Sequence, residues 1–129
     1  MRKLYPIIVL LVFVSCKKSN ADNEAPQLKI ISPGTGQHFA IQEDVNLIVS
    51  VSDNVQVQSV NIRIQDSTLL IVDPNVSTRT YNIPVNKKSS QFGMSFNVGI
   101  DFKTAWKFTL TATDTNGNTS LQEVTVNLN

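Results

Sequence analysis

Downstream of residue 26, apolar and polar positions alternate with a period of two along most of the chain. Leu28 and Ile30 alternate with Gln27 and Lys29, and Val45, Leu47, Val49 and Val51 with Asn46, Ile48, Ser50 and Ser52. The same beat returns in Val60–Ile64, Phe92–Val98, Trp106–Ala112 and Val124–Leu128. Successive side chains of a strand point to opposite faces, so this pattern predicts strands with one face on a core and one in water. Turn-forming clusters separate the runs at Ser32-Pro33-Gly34, Ser52-Asp53-Asn54, Asp73-Pro74-Asn75 and Asn116-Gly117-Asn118. Thr68–Val72 reads as a further strand that pairs with Val60–Gln65 through Asp66-Ser67. Tyr81–Val85 reads as an edge strand, because Pro84 cannot donate to a ladder. No segment of the mature domain keeps an apolar stripe at helical spacing for three turns, so no helix longer than one turn is expected there. The expected core is Leu28, Ile30, Val49, Val51, Val60, Ile62, Phe92, Met94, Phe96, Phe108, Leu110, Val124 and Val126. About seven or eight short antiparallel strands separated by turns predict an all-β sandwich or barrel.

The first residues follow another rule. Met1-Arg2-Lys3 is basic, Leu4–Val14 is apolar, and Ser15 precedes Cys16. The apolar run is 11 residues long, against the roughly 20 that a spanning helix needs. A basic start, a short apolar run and a small residue before the cut make a secretory signal. The sole cysteine, Cys16, stands where a bacterial lipoprotein signal carries its lipid. The expected layout is a signal peptide over 1–15, a lipidated cysteine and flexible tether over 16–25, and one domain over 26–129. Such a chain is held in the cell envelope of a Gram-negative bacterium by acyl chains on Cys16. Lys17-Lys18 points to the periplasmic side of the outer membrane rather than to the cell surface.

Cleavage leaves 114 residues, enough for one domain with a modest core. It removes two of the 11 basic residues, leaving nine against ten acidic ones. That balance offers no electrostatic footprint for nucleic acid. With its one cysteine lipidated, the domain has no disulfide to rely on.

Three blocks carry a family likeness: Pro26-x-Leu28-x-Ile30-x-Ser32-Pro33-x-x-Gly36, Val49–Asn54 followed by Val57–Val60, and Leu110–Asn118 leading into Val124–Val126. Over residues 26–128 the chain resembles the immunoglobulin-like and cadherin-like domains of secreted bacterial proteins. With Cys16 it resembles small single-domain lipoproteins of unknown function. The resemblance implies an immunoglobulin-like β-sandwich. It also implies that the N-terminus and the loops around Asp53 and Asp114 lie at one end. That end gathers Asp22, Asn23, Glu24, Asp53, Asn54, Asp114, Asn116 and Asn118. Calcium takes 6–8 oxygens from carboxylates, amides and carbonyls. The candidate ligands are Asp22, Asn23, Asp53, Asp114 and Asn116. Asp and Asn also collect in turns for conformational reasons alone.

Other chemistry is sparse. Tyr81, Phe39, Phe102 and Trp106 are candidates for an aromatic surface that captures glycan or peptide, although Trp106 shares the inward phase of its strand. His38, the one histidine, has Glu43 and Asp44 nearby in sequence, but they belong to an ordinary loop. One histidine does not make a zinc site. Lys87-Lys88 reads as a solvated turn. The expectation is a non-enzymatic envelope lipoprotein acting as an adhesion or protein-interaction module. Capture of glycan or peptide, and a calcium-stabilised structural role, are the rivals.

Overall fold

The computed structural model describes residues 21–66, 78–98 and 105–128. These form strands and turns, with no helix among them. Six strands follow in order: β1 (Gln27–Ser32), β2 (His38–Phe39), β3 (Asp44–Asp66), β4 (Thr78–Asn97), β5 (Ala105–Asp114) and β6 (Thr119–Leu128). They make one sheet in the order β1-β3-β5-β6-β2, with β4 pairing along β3. All pairings are antiparallel except β2 with β6, which is parallel at His38–Asn127 and Phe39–Leu128.

Two of the strands are longer than the sequence pattern suggests. Val45–Val51 and Val60–Ile64 are parts of one strand of 23 residues, and Ser52-Asp53-Asn54 is not a reversal. The Asp53 carboxylate accepts the N–H groups of Val55 (2.9 Å) and Gln56 (2.8 Å), so the local polar bonding of a turn is spent inside a strand irregularity. The register with β4 shifts there, between Ser52 and Val57. Likewise Tyr81–Val85 and Phe92–Asn97 belong to one strand of 20 residues, and Lys87-Lys88 lies within it. Asn86, just before that pair, takes a left-handed backbone with φ of 51°. The expected seven or eight strands therefore become six among the described residues. Thr68–Val72, the Asp73-Pro74-Asn75 turn, Phe102 and Cys16 lie outside them.

Both long strands serve two halves of the sheet. Leu28 pairs with Val51, and Val45 pairs with Phe96. Beyond the irregularity, Ile62 pairs with Tyr81 on one side and Leu110 on the other. The sheet curls so that the halves face each other. Tyr81 and Phe96 show this directly: they sit in the same strand, yet their ring centroids are 5.5 Å apart. A straight strand would separate them by roughly 50 Å. Phe96 also meets Phe108 at 5.8 Å, and Phe108 meets Trp106 at 6.3 Å. An aromatic column thus joins β4 to β5 through the middle.

Alternation located the core well. Leu28, Val49, Val51, Val60, Ile62, Phe96, Phe108, Leu110, Val124 and Val126 are buried, while Ile30, Phe92 and Met94 pack half-buried against them. Trp106 is buried, as its phase requires. Phe108 has no exposed surface and touches rings from both sides, so truncation leaves a cavity that neighbours on fixed strands cannot refill. Phe108→Ala should cost about 3–5 kcal/mol by denaturant unfolding. Leu121→Ala, at a side chain 56% exposed, should stay within about 0.5 kcal/mol.

Candidate metal centre

Three chain segments meet at one end of the curled sheet. Asp22 precedes β1, Asp53 sits in the irregularity of β3, and Asp114 is the last residue of β5. One carboxylate oxygen from each lies within 4.8 Å of the others. Asp114 is fully buried and the other two are half-buried. Among the described residues, no lysine, arginine or histidine forms an ion pair with any of the three.

Each carboxylate is aimed by the local fold. Asp114 Oδ1 accepts the N–H groups of Asn116 and Asn118, both at 2.8 Å, and Oδ2 accepts Asn118 Nδ2 at 2.7 Å. These bonds form because Asn116-Gly117-Asn118 turns tightly, as its residue types predict, with Gly117 at φ of 89°. Asp53 Oδ2 is held by its own turn amides, leaving Oδ1 directed inward. Asp22 Oδ1 accepts Asn54 Nδ2 (2.9 Å) and Glu24 N–H (3.1 Å), and the Asp22 carbonyl accepts Asn118 Nδ2 (3.0 Å). The two loops are also joined directly, Thr115 N–H donating to the Gln56 carbonyl at 3.1 Å.

Two oxygens remain without any partner. Asp22 Oδ2 and Asp53 Oδ1 are shut off from solvent and accept no hydrogen bond. A buried carboxylate oxygen left bare is costly, and two beside a third carboxylate repel as well. A cation among them removes both penalties. The donors are all oxygen, which suits a hard cation, and their spread fits within a calcium coordination sphere about 5 Å across.

Of the five candidate ligands, Asp22, Asp53 and Asp114 come together. Asn23 is exposed. Asn116 is exposed at the turn and contributes only its backbone N–H to Asp114. Asn54 and Asn118, grouped at this end in the sequence but not taken as ligands, act as positioning residues. A cleft of about 270 Å³ opens beside Asp53, walled by Glu24, Ala25, Gln27, Ser52 and Asn54.

The aromatic candidates lead elsewhere. Phe39 is buried in β2 rather than displayed in a loop, because that strand adds to β6 and turns the ring inward. Tyr81 is half-buried against Phe96, and Trp106 is in the core. His38 is exposed. Glu43 Oε2 accepts the Ala40 N–H at 2.8 Å and so closes a turn. Asp44 Oδ1 accepts Asn97 Nδ2 at 2.8 Å, a cross-strand bond.

The model of a domain of unknown function, DUF4625, matches residues 14–129. The chain belongs to the DUF4625 family. No curated protein matches this DUF4625 chain in sequence. Among solved structures it is similar to wild-type OgpA from Akkermansia muciniphila, with a TM-score of 0.53 and 15% identity, over 82% of this chain and 28% of that one. It is likewise similar to catalytically inactive OgpA in complex with an O-glycopeptide substrate, with a TM-score of 0.53 and 16% identity, over 90% and 32% of the respective chains. The DUF4625 chain thus spans about a third or less of the solved proteins it resembles, and at this identity the likeness concerns fold alone.

Burial opposes ionisation of Asp114, but the Asn118 side-chain amide and the backbone N–H groups of Asn118, Asn116 and Gly117 outweigh it. They hold the carboxyl below its ordinary value of 3.8. A lowered value in the folded state contributes stability that is full above the ordinary value and is lost as pH falls through the lower one. Denaturant unfolding in calcium-free buffer should therefore show stability falling as the pH is taken from 5 to below about 3. Asp114→Asn should flatten that fall, at the expense of a donor facing the Asn118 amide.

Proposed function

We infer that this DUF4625 chain is a non-enzymatic cell-envelope lipoprotein whose immunoglobulin-like β-sandwich is stabilised by calcium and serves as a protein-interaction module. The convergence of Asp22, Asp53 and Asp114, with two buried oxygens that accept nothing, carries the calcium part of this reading. The ion joins the segment before β1, the irregularity of β3 and the end of β5. It therefore braces both halves of the curled sheet at one point. Calcium accepts irregular oxygen geometry, whereas magnesium demands a near-ideal octahedron and gives up its waters reluctantly. Calcium is thus the better fit for carboxylates already committed to backbone amides.

The interaction role draws support from the surface. Among the described residues β4 pairs with β3 alone, which leaves it a long edge, and strand edges accept extended peptides. Burial of Phe39 and Trp106, and the packing of Tyr81, weigh against glycan capture by an aromatic platform. Anchoring rests on the sequence from Met1 to Cys16 and places the domain at the outer membrane, facing the periplasm. Mass spectrometry of the protein from its native bacterium should find residues 1–15 absent and a thiol-linked diacylglyceryl group on Cys16. An unmodified thiol would overturn the anchor.

Calcium added at 100 times its dissociation constant should stabilise the domain by about 2.7 kcal/mol. For a domain of this size that raises the melting temperature on the order of 10 °C. Asp53→Asn keeps a carbonyl oxygen for the Val55 and Gln56 amides but loses the inward charge. It should melt at or above the wild-type temperature without calcium and lose most of the calcium-induced rise. No rise for the wild type at millimolar calcium would end the calcium reading.

A further inference from the structure

We propose that the cation works as a latch, docking residues 21–25 onto the body of the domain when bound and releasing them when it leaves. This rests on the calcium reading of the same site and adds to it which ligand moves.

The three carboxylates are not held equally. Asp53 is fixed by two backbone amides of its own loop, and Asp114 by two backbone amides and the Asn118 side chain. Their loops are joined to each other by the Thr115–Gln56 bond. Both loops are continuous with paired strands, β3 in one case and β5 and β6 in the other. Asp53 and Asp114 therefore form a rigid half-site.

Asp22 belongs to no strand. Its ties to the body are two side-chain amides, from Asn54 on its carboxylate and Asn118 on its carbonyl. Around it Ala21, Asn23, Glu24 and Ala25 are exposed, and the next buried residue is Pro26. Among the described residues the hydrogen bonds from segment 21–25 to the body thus run through Asp22, and that contact brings a third negative charge against two that cannot retreat. Without a cation the repulsion acts on the one ligand free to leave. With a cation the same three charges attract a common centre, and Asp22 closes the site. Glu24 and Ala25 also line the cleft beside Asp53.

The consequence is a distance control. Undocking of residues 22–25 adds up to about 14 Å of reach between the body and whatever precedes residue 21. Calcium concentration is thereby converted into the standoff of the domain from its point of attachment. The segment's four exposed neighbours of Asp22 carry little apolar surface that would hold it down by other means.

Amide ¹⁵N relaxation on the full chain in detergent micelles tests this, with calcium chloride and with excess chelator. Order parameters of residues 22–25 should be near 0.85 with calcium and below about 0.6 without it. Those of residues 53–56 and 114–118 should stay high in both states. In Asp22→Ala, calorimetry should still detect calcium, bound at least tenfold more weakly, while residues 22–25 stay mobile at saturating calcium. Calorimetric binding by the wild type with equal order in residues 22–25 in both states would overturn the latch and leave the site standing. Absence of any calcium heat would overturn both.

Discussion

A strand of 23 residues, β3, has to serve a domain much shorter than itself. Straight, it would run roughly 75 Å, whereas a domain of about 100 residues has a radius of gyration near 13 Å. The chain resolves this by folding β3 and its partner β4 over together, so that one antiparallel ladder supplies both faces of the core. The break in register between Ser52 and Val57 lets the ladder turn without being cut. Rings from the two ends of β4 then meet, and the interior fills with Val, Ile, Leu and Phe from every strand. The fold is therefore a consequence of where β3 bends.

The same bend creates the chemistry. Asp53 relieves the irregularity by accepting the Val55 and Gln56 amides, and in doing so it turns its second oxygen inward. At the far end of β5, Asp114 caps the next turn by the same means. Two carboxylates recruited for backbone reasons thus come to face each other. Turn stabilisation alone does not call for a third, and Asp22 supplies it from outside the sheet. Structural capping explains Asp53 Oδ2 and Asp114; it does not explain Asp22 Oδ2 and Asp53 Oδ1, which serve no hydrogen bond.

Alternation along the sequence was enough to find the inward face of the longer strands, because a period of two has only one phase that buries Val49, Ile62, Phe108 and Val126 together. It could not distinguish a reversal from a bend. Ser52-Asp53-Asn54 has the residue types of both, and what separates them is whether Val57 rejoins the same ladder, a long-range fact. Lys87-Lys88 misled for the same reason. Phe39 was misplaced because a strand of two residues has no period to read. At the site, the three aspartates were legible as an end-of-domain cluster once the sandwich was assumed. Residue type alone did not place Asn23 and Asn116, since only the backbone at each position decides whether an amide is exposed, as both are. Asn118 looked like a turn residue and is one, but its side chain also bridges Asp114 and Asp22.

One property of β4 reaches beyond the single molecule. Among the described residues it shares its main-chain bonds with β3 only, so its other side runs unshared for the length of the domain. Such borders recruit neighbouring chains into growing fibrils. Here the border is spoiled in its middle: Pro84 lacks a donor, Asn86 breaks the extended backbone, and two adjacent ammonium groups follow at Lys87 and Lys88. Only short stretches on either side stay flat enough to zip onto a second molecule. Crowded copies are thereby kept from fusing into a common fibre, while a brief peptide can still find a place to lie.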